Sequence, residues 1–187
     1  MRMFFRSNGS TSEADMLSEH IDGLYSYALA LSRNRVDAED LVQETYVRAI
    51  PAVGRLRKES NVKSWMFTIL RNIWLNQLRQ PRVAVQMSGT DIDQVLPEFH
   101  AASAKDPHSL LLTSLDQDKV RQAISRLPVE SREIILLREF EDLSYQEIAG
   151  VLKCPIGTVM SRLGRARSKL RALLSSTLTG GNSGEHS

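Results

Sequence analysis

Residues 144–174, SYQEIAGVLKCPIGTVMSRLGRARSKLRALL, leave this 187-residue chain few choices of architecture. Ser144 and Glu147 have the spacing of a capping box, in which the hydroxyl accepts from the third residue's amide and the carboxylate reaches back to the cap's own N–H. A helix is therefore predicted to start there, with Ile148, Ala149 and Leu152 on its buried side. Lys153-Cys154-Pro155 breaks it, because proline cannot continue one helix but suits the first turn of the next. In that next helix Ile156, Val159, Leu163, Ala166 and Leu170 recur at helical spacing and are expected to face the protein. Thr158, Ser161, Arg162, Arg165 and Lys169 are left on another side, with Arg167 and Arg171 as flanking cations.

Two helices joined by a tight turn, the second with a short-polar and cationic face, form a helix-turn-helix. Arginine can fork onto guanine O6 and N7, and Ser or Thr can bond base edges or phosphates, which is how a recognition helix lies in a major groove. An amphipathic helix with merely solvated cations would show the same periodicity. Against that reading, no Asp or Glu occurs from Ile148 to Gly184.

Net charge is only +2, but its distribution along the chain is uneven. Residues 13–44 hold eight acids against Arg33 and Arg35, and residues 48–82 hold eight bases against Glu59 alone. Residues 91–118 hold six acids with Lys105, ahead of the basic segment that follows Ile148. Such segregation suits a protein that touches both a polyanion and a basic or mixed protein surface. The apolar runs are too short to span a bilayer and no signal-peptide core follows Met1, so a cytoplasmic protein without membrane insertion is expected. Cys154 is the single cysteine, which excludes an intrachain disulfide and suits plugging of the turn.

Taken in order, residues 1–12 read as a loose tail. A helix is predicted from Ala14 to Ser32 on Leu17, Ile21, Leu24, Tyr25, Ala28 and Leu31. Asp37 is expected to cap a second, DAEDLVQETYVRAI, with core residues Ala38, Leu41, Val42, Thr45, Tyr46 and Ala49 and with Asp40, Gln43 and Glu44 on the open side. A basic loop follows Pro51. The third helix, from about Val62 to Arg79, carries more large apolar residues than one face can hold, so it must be central or offer aromatics to a partner. Residues 82–112 lack periodicity and read as a flexible acidic linker. Helices are predicted again at Ser114–Leu127 and Val129–Phe140 before the helix-turn-helix, and residues 175–187 read as a disordered tail. The fold class is all-α: two small helical domains, 13–81 and 113–174, joined by that linker.

The order of these pieces resembles the extracytoplasmic-function, or group 4, sigma factors of bacterial RNA polymerase, from about Met16 to Leu174. DAEDLVQETYVRA is similar to the polymerase-binding helix of sigma region 2.2, SWMFTILRNIWLNQLR to regions 2.3 and 2.4, and LPVESREIILLREFEDLSYQEIAGVLKCPIGTVMSRLGRARSKLR to region 4. The resemblance implies an alternative sigma factor that binds core RNA polymerase and recognises the minus-10 and minus-35 promoter elements. It implies polymerase docking through Asp40, Gln43 and Glu44. For the melted minus-10 strand it implies Glu59 and Ser60 at the loop tip and Asn72 at a flipped base, with Lys63, Arg71 and Arg79 on the backbone. For the duplex minus-35 element it implies Ser161, Arg162 and Arg165, supported by Thr158 and Lys169. Met160 stands where family members often carry a basic residue, so the promoter sequence does not carry over.

The family usually has an anti-sigma factor, which is expected here as a further partner. The chain holds no nucleotide-binding glycine loop, metal cluster or nucleophile constellation, so neither cofactor, metal nor enzymatic activity is expected. The competing reading is a helix-turn-helix regulator that occupies duplex DNA by itself and needs no polymerase.

Overall fold

A computed structural model describes residues 13–57, 60–79 and 117–179, so the predicted tail at 1–12, the linker at 82–112 and Glu59 lie outside the described residues. The described residues are helical throughout, with turns between and no strand. Helix α1 is Glu13–Ser18, α2 Ile21–Ser32, α3 Arg35–Ala49 and α4 Val62–Arg79, with one 3-10 turn at Val53–Arg55. The next described helix, α5, covers 117–125. Then come α6 Val129–Ile135, continued by a π turn at Leu136–Phe140, α7 Tyr145–Leu152 and α8 Ile156–Thr179. None of the described helices is long and apolar enough to cross a membrane.

Local chemistry explains where the boundaries depart from expectation. The first predicted helix breaks at Glu19-His20, separating α1 from α2. Arg33 ends α2 in the left-handed conformation at φ 55°, and its N–H bonds Leu29 O. That turn leaves Asn34 extended, so Asn34 and not Asp37 caps α3: its side-chain oxygen accepts from the N–H groups of Val36 at 2.8 Å and Asp37 at 3.2 Å. Asp37 lies inside the first turn, where its charge still suits the macrodipole. At the other end of the chain α8 runs to Thr179, past the predicted stop at Leu174.

The predicted capping box is present: Glu147 N–H donates to Ser144 Oγ at 3.2 Å and Ser144 N–H to Glu147 Oε2 at 2.7 Å. Burial works against the Glu147 carboxylate, but the Ser144 bonds, Asn61 and Lys63 together hold its pKa below the ordinary 4.5. A depressed carboxylate contributes stability above about that pH and loses it as pH falls through the folded value. Glu147→Ala is therefore expected to be less stable than wild type at neutral pH, with the gap closing in acid; a constant gap down to pH 3 would refute the linkage.

Helix α7 ends on Lys153 at φ 52°, with Cys154 N–H on Ala149 O at 3.1 Å and Lys153 N–H on Gly150 O at 3.4 Å. This is a Schellman ending with lysine where glycine would be unstrained. Lys153→Gly is expected to stabilise the chain by about 0.5–1 kcal/mol, read as a rise in the urea midpoint; a fall would mean that Lys153 carries some contact beyond its backbone.

The buried residues of both halves form one continuous cluster, from Leu17 to Ala166. In α3 Ala38, Leu41, Val42, Thr45 and Ala49 are buried as expected and Tyr46 is half-buried, its hydroxyl donating to Leu17 O at 2.7 Å. Helix α4 is central: Met66, Phe67, Leu70 and Ile73 are buried, α2 and α3 pack on it from the first half and α7 from the second. Tyr27 meets Phe67 edge to face at 5.1 Å, and Trp65 and Trp74 pack partly buried against the cluster. Every residue from Arg132 to Leu137 is buried. A helix can hide all its sides only when it has neighbours all round; here they are α2 of the first half and α8 of the second.

Candidate nucleic-acid and protein interfaces

The outward side of α8 is assembled by its inward one. Val159, Leu163 and Ala166 are buried, with Leu170 half-buried. With that stripe fixed, Ser161, Arg165 and Lys169 are exposed while Thr158 and Arg162 are half-buried on the flank. Ser161 Oγ donates to Thr158 O at 3.1 Å and Arg165 Nε to Ser161 O at 3.3 Å, so both side chains lie along the helix surface. Two expectations change. Ile156, predicted to face the protein, is 44% exposed because it opens the helix a turn before the packing stripe begins. Arg167, expected as a flanking cation open to a partner, is held by Glu139 Oε1 at 2.6 and 2.8 Å.

On α3, Asp40 and Gln43 are exposed and Glu44 partly so, with Glu44 paired to Arg48 at 2.9 Å. The large apolar residues Val36, Val47 and Ile50 are also exposed. Spacings of four, three, four and three place Val36, Asp40, Gln43, Val47 and Ile50 on one stripe. A polar centre with apolar flanks is the composition of a protein-docking face. Sequence patterning attends to what a helix hides, and so it passed over Val36, Val47 and Ile50.

The residues expected to meet the melted strand spread along α4. Lys63 and Arg79 are about 24 Å apart by helix rise, and Ser60 and Arg79 are exposed while Asn72 is half-buried. Two of the set are engaged by the second half. Lys63 Nζ reaches Glu141 through its carboxylate and its carbonyl, each at 2.8 Å. Arg71 Nε meets Glu133 Oε1 at 2.5 Å, and the same carboxylate oxygen accepts from the Tyr27 hydroxyl at 2.7 Å. Burial, then the adjacent Glu133 charge, raises the Tyr27 pKa well above its usual value, so the phenol stays protonated and donates. Asn61 accepts from Ser64 N–H at 3.2 Å at the start of α4 and donates to Glu147 across the junction. Gly23 leaves the room that the Glu141 carboxylate occupies: a Cβ there would lie 2.6 Å from its oxygens.

Beside this junction, Arg132 spreads its guanidinium over four backbone carbonyls: Ile124 at 3.2 Å, Ser125 at 3.1 Å, Leu127 at 2.8 Å and, from the first half, Ala30. Burial, then the neighbouring Arg33 charge, pulls its pKa down to about 10, so it remains a cation at neutral pH. None of Tyr27, Arg132, Glu133, Glu141 and Glu147 had been assigned a cross-chain role from the sequence. The available signal was Arg132-Glu133 standing directly before an unbroken Ile134–Leu137, since charges rarely enter a core without partners. Among the described residues no cluster of three or more His, Cys, Asp or Glu can hold a metal ion.

Residues 16–83 match the Sigma-70 region 2 family and residues 117–170 the Sigma-70, region 4 family. The chain is 34% identical over 154 residues to the ECF RNA polymerase sigma factor EcfG of Rhodopseudomonas palustris, covering 82% of this chain and 80% of that one. It is 34% identical over 143 residues to the ECF RNA polymerase sigma-E factor of Escherichia coli, covering 72% of each. Among solved structures, the sigma factor RpoE of Bartonella quintana, in complex with the anti-sigma factor NepR, is similar with a TM-score of 0.66 at 33% identity, over 89% of this chain and 98% of that one.

Proposed function

Because the chain belongs to the extracytoplasmic-function sigma factors of the sigma-70 family, which direct promoter-specific initiation by RNA polymerase, we propose a division of that work among its exposed faces. The α3 stripe docks on core polymerase, with Asp40, Gln43 and Glu44 meeting basic partner groups and Val36, Val47 and Ile50 closing the contact around them. Helix α8 enters the duplex minus-35 element: Ser161 and Arg165 read bases, Arg162 and Thr158 support them from the flank, and Lys169 takes phosphate. Along α4 and the loop before it, Asn72, Ser60 and Glu59 meet an extruded minus-10 base, and Lys63, Arg71 and Arg79 hold the strand's phosphates. The chain acts in the cytoplasm as a specificity subunit without a reaction of its own.

Residues 13–81 and 113–174 work as separate domains in this reading. Lys63 and Arg71 can take phosphates only after giving up Glu141 and Glu133, so the second domain must leave α4 when polymerase and promoter bind, with residues 82–112 as the tether. An anti-sigma factor, the kind of partner with which the Bartonella relative was solved, would compete for these same faces.

The observation that carries the reading is the presence on one chain of two exposed faces of opposite character, acidic and apolar on α3, cationic without any acid on α8. The test is transcription in vitro with purified core polymerase. Initiation from a restricted set of promoters should require this chain. Arg165→Ala should cut it by about ten-fold or more, the worth of one forked base contact, while leaving polymerase binding intact. Gln43→Ala with Glu44→Ala should weaken polymerase binding itself. A chain that ignores core polymerase yet occupies duplex DNA unaided would be an ordinary regulator instead.

A further inference from the structure

Helix α8 presents a low strip between two glycines, and only one large side chain rises from it. Gly157 and Gly164 have open space where a Cβ would stand, with nothing within 4 Å. Nothing among the described residues therefore requires glycine at either position, although glycine inside an exposed helix is unfavourable relative to alanine. A surface kept bare at a cost inside the molecule suits close approach to something outside it. Between them stands Met160, 52% exposed, with Ile156 one turn earlier on the same side. Arg165 and Ser161 border the strip, and no acid lies on this helix to repel a polyanion.

We infer that Met160, backed by Ile156, reads a thymine in the minus-35 element through the 5-methyl group, so that it sets specificity at one base pair. The inference rests on α8 being the duplex-reading helix. A thioether side chain has no proton to donate, so it cannot fork onto guanine as arginine does. The apolar group that a base pair offers in the major groove is the thymine methyl, so an exposed methionine on the reading face selects T·A by burying it. Ile156 widens the apolar wall against which that methyl packs. Since the Met160 side chain is exposed and outside the buried cluster of the described residues, replacing it changes the reading surface and leaves the fold alone.

The full chain with core polymerase is assayed on linear templates randomised across the promoter, and the initiating templates are sequenced. Wild type should demand thymine at one upstream position. Met160→Ala should lose about four-fold of that preference, the worth of one methyl group removed from water, and Met160→Arg should move it toward guanine. On the template selected by wild type, replacing that thymine with deoxyuridine removes the methyl alone. It should cost wild type about four-fold and Met160→Ala nothing. If deoxyuridine serves wild type as well as thymine, or Met160→Ala leaves every base preference unchanged, Met160 does not read a methyl group. Arg165→Ala, run alongside, should relax a different position. Relaxation there with none for Met160 overturns this inference alone, whereas relaxation for neither, or no template selected at all, overturns the assignment of α8 as well.

Discussion

Replacing Arg132 with methionine is expected to lower the stability of the chain by about 3 kcal/mol and its melting temperature by about 10 °C. The side chain is 2% exposed and serves the carbonyls of Ile124, Ser125, Leu127 and Ala30. Methionine fills much of the volume but donates nothing, so Leu127 O and Ala30 O would lose the guanidinium, while Ile124 O keeps the Leu127 N–H and Ser125 O keeps Arg33. The cost is moderated because the wild-type protein already bears the desolvation of a buried cation, visible in its lowered pKa. Lysine should rescue little, since a single ammonium cannot reach carbonyls that a planar guanidinium spans as a fork. Circular dichroism melting of the full chain checks both variants. A loss below about 1 kcal/mol in Arg132→Met would show that water or backbone shifts replace the guanidinium, and that it is not holding the α5–α6 turn against the end of α2.

The second large effect is expected at Glu133. Its carboxylate is nearly buried and serves Arg71 and Tyr27 together. Glu133→Leu strands a mostly buried guanidinium and a buried phenol, and removing one partner of such a pair typically costs about 3–5 kcal/mol. The combined variant Glu133→Leu, Arg71→Met, Tyr27→Phe leaves no polar group unpaired and should recover most of that loss, because replacing all partners by apolar groups can be nearly neutral. Urea denaturation of the single and combined variants measures the difference. Equal losses in the two would mean that the contribution is packing volume and not charge pairing. The combined variant also separates the two lives of Arg71: it should fold, yet initiate poorly, because the cation assigned to the melted strand has gone with the pair.

Much of this molecule was legible in the chain itself, for reasons that act over one or two turns. The capping box at Ser144, the stop at Lys153-Cys154-Pro155, the bounds of α4 and the buried stripe of α3 follow from spacing and from groups that bond within a few residues of one another. The polar set Asp40, Gln43 and Glu44 was placed on the open side of α3 by the same periodicity, and the outward position of Ser161, Arg165 and Lys169 on α8 followed likewise. Local rules were weaker where several residues competed for one role, as when Asn34 took the cap expected of Asp37 because the left-handed Arg33 left it extended.

Only the tertiary structure decided what the far half of the chain does to the near one. Glu133 lies 62 residues from Arg71 and 106 from Tyr27, and no periodicity records a contact of that range. The apolar excess of α4 announced that something must cover it, while the identity of the cover, α7, came from packing. The same folding turned Lys63 and Arg71 from open cations into paired ones, and left Ile156 and Met160 standing in solvent. Hydrophobic spacing tells which side of a helix seeks shelter; it is blind to which carboxylate arrives beside a given arginine, because that depends on how whole helices stack.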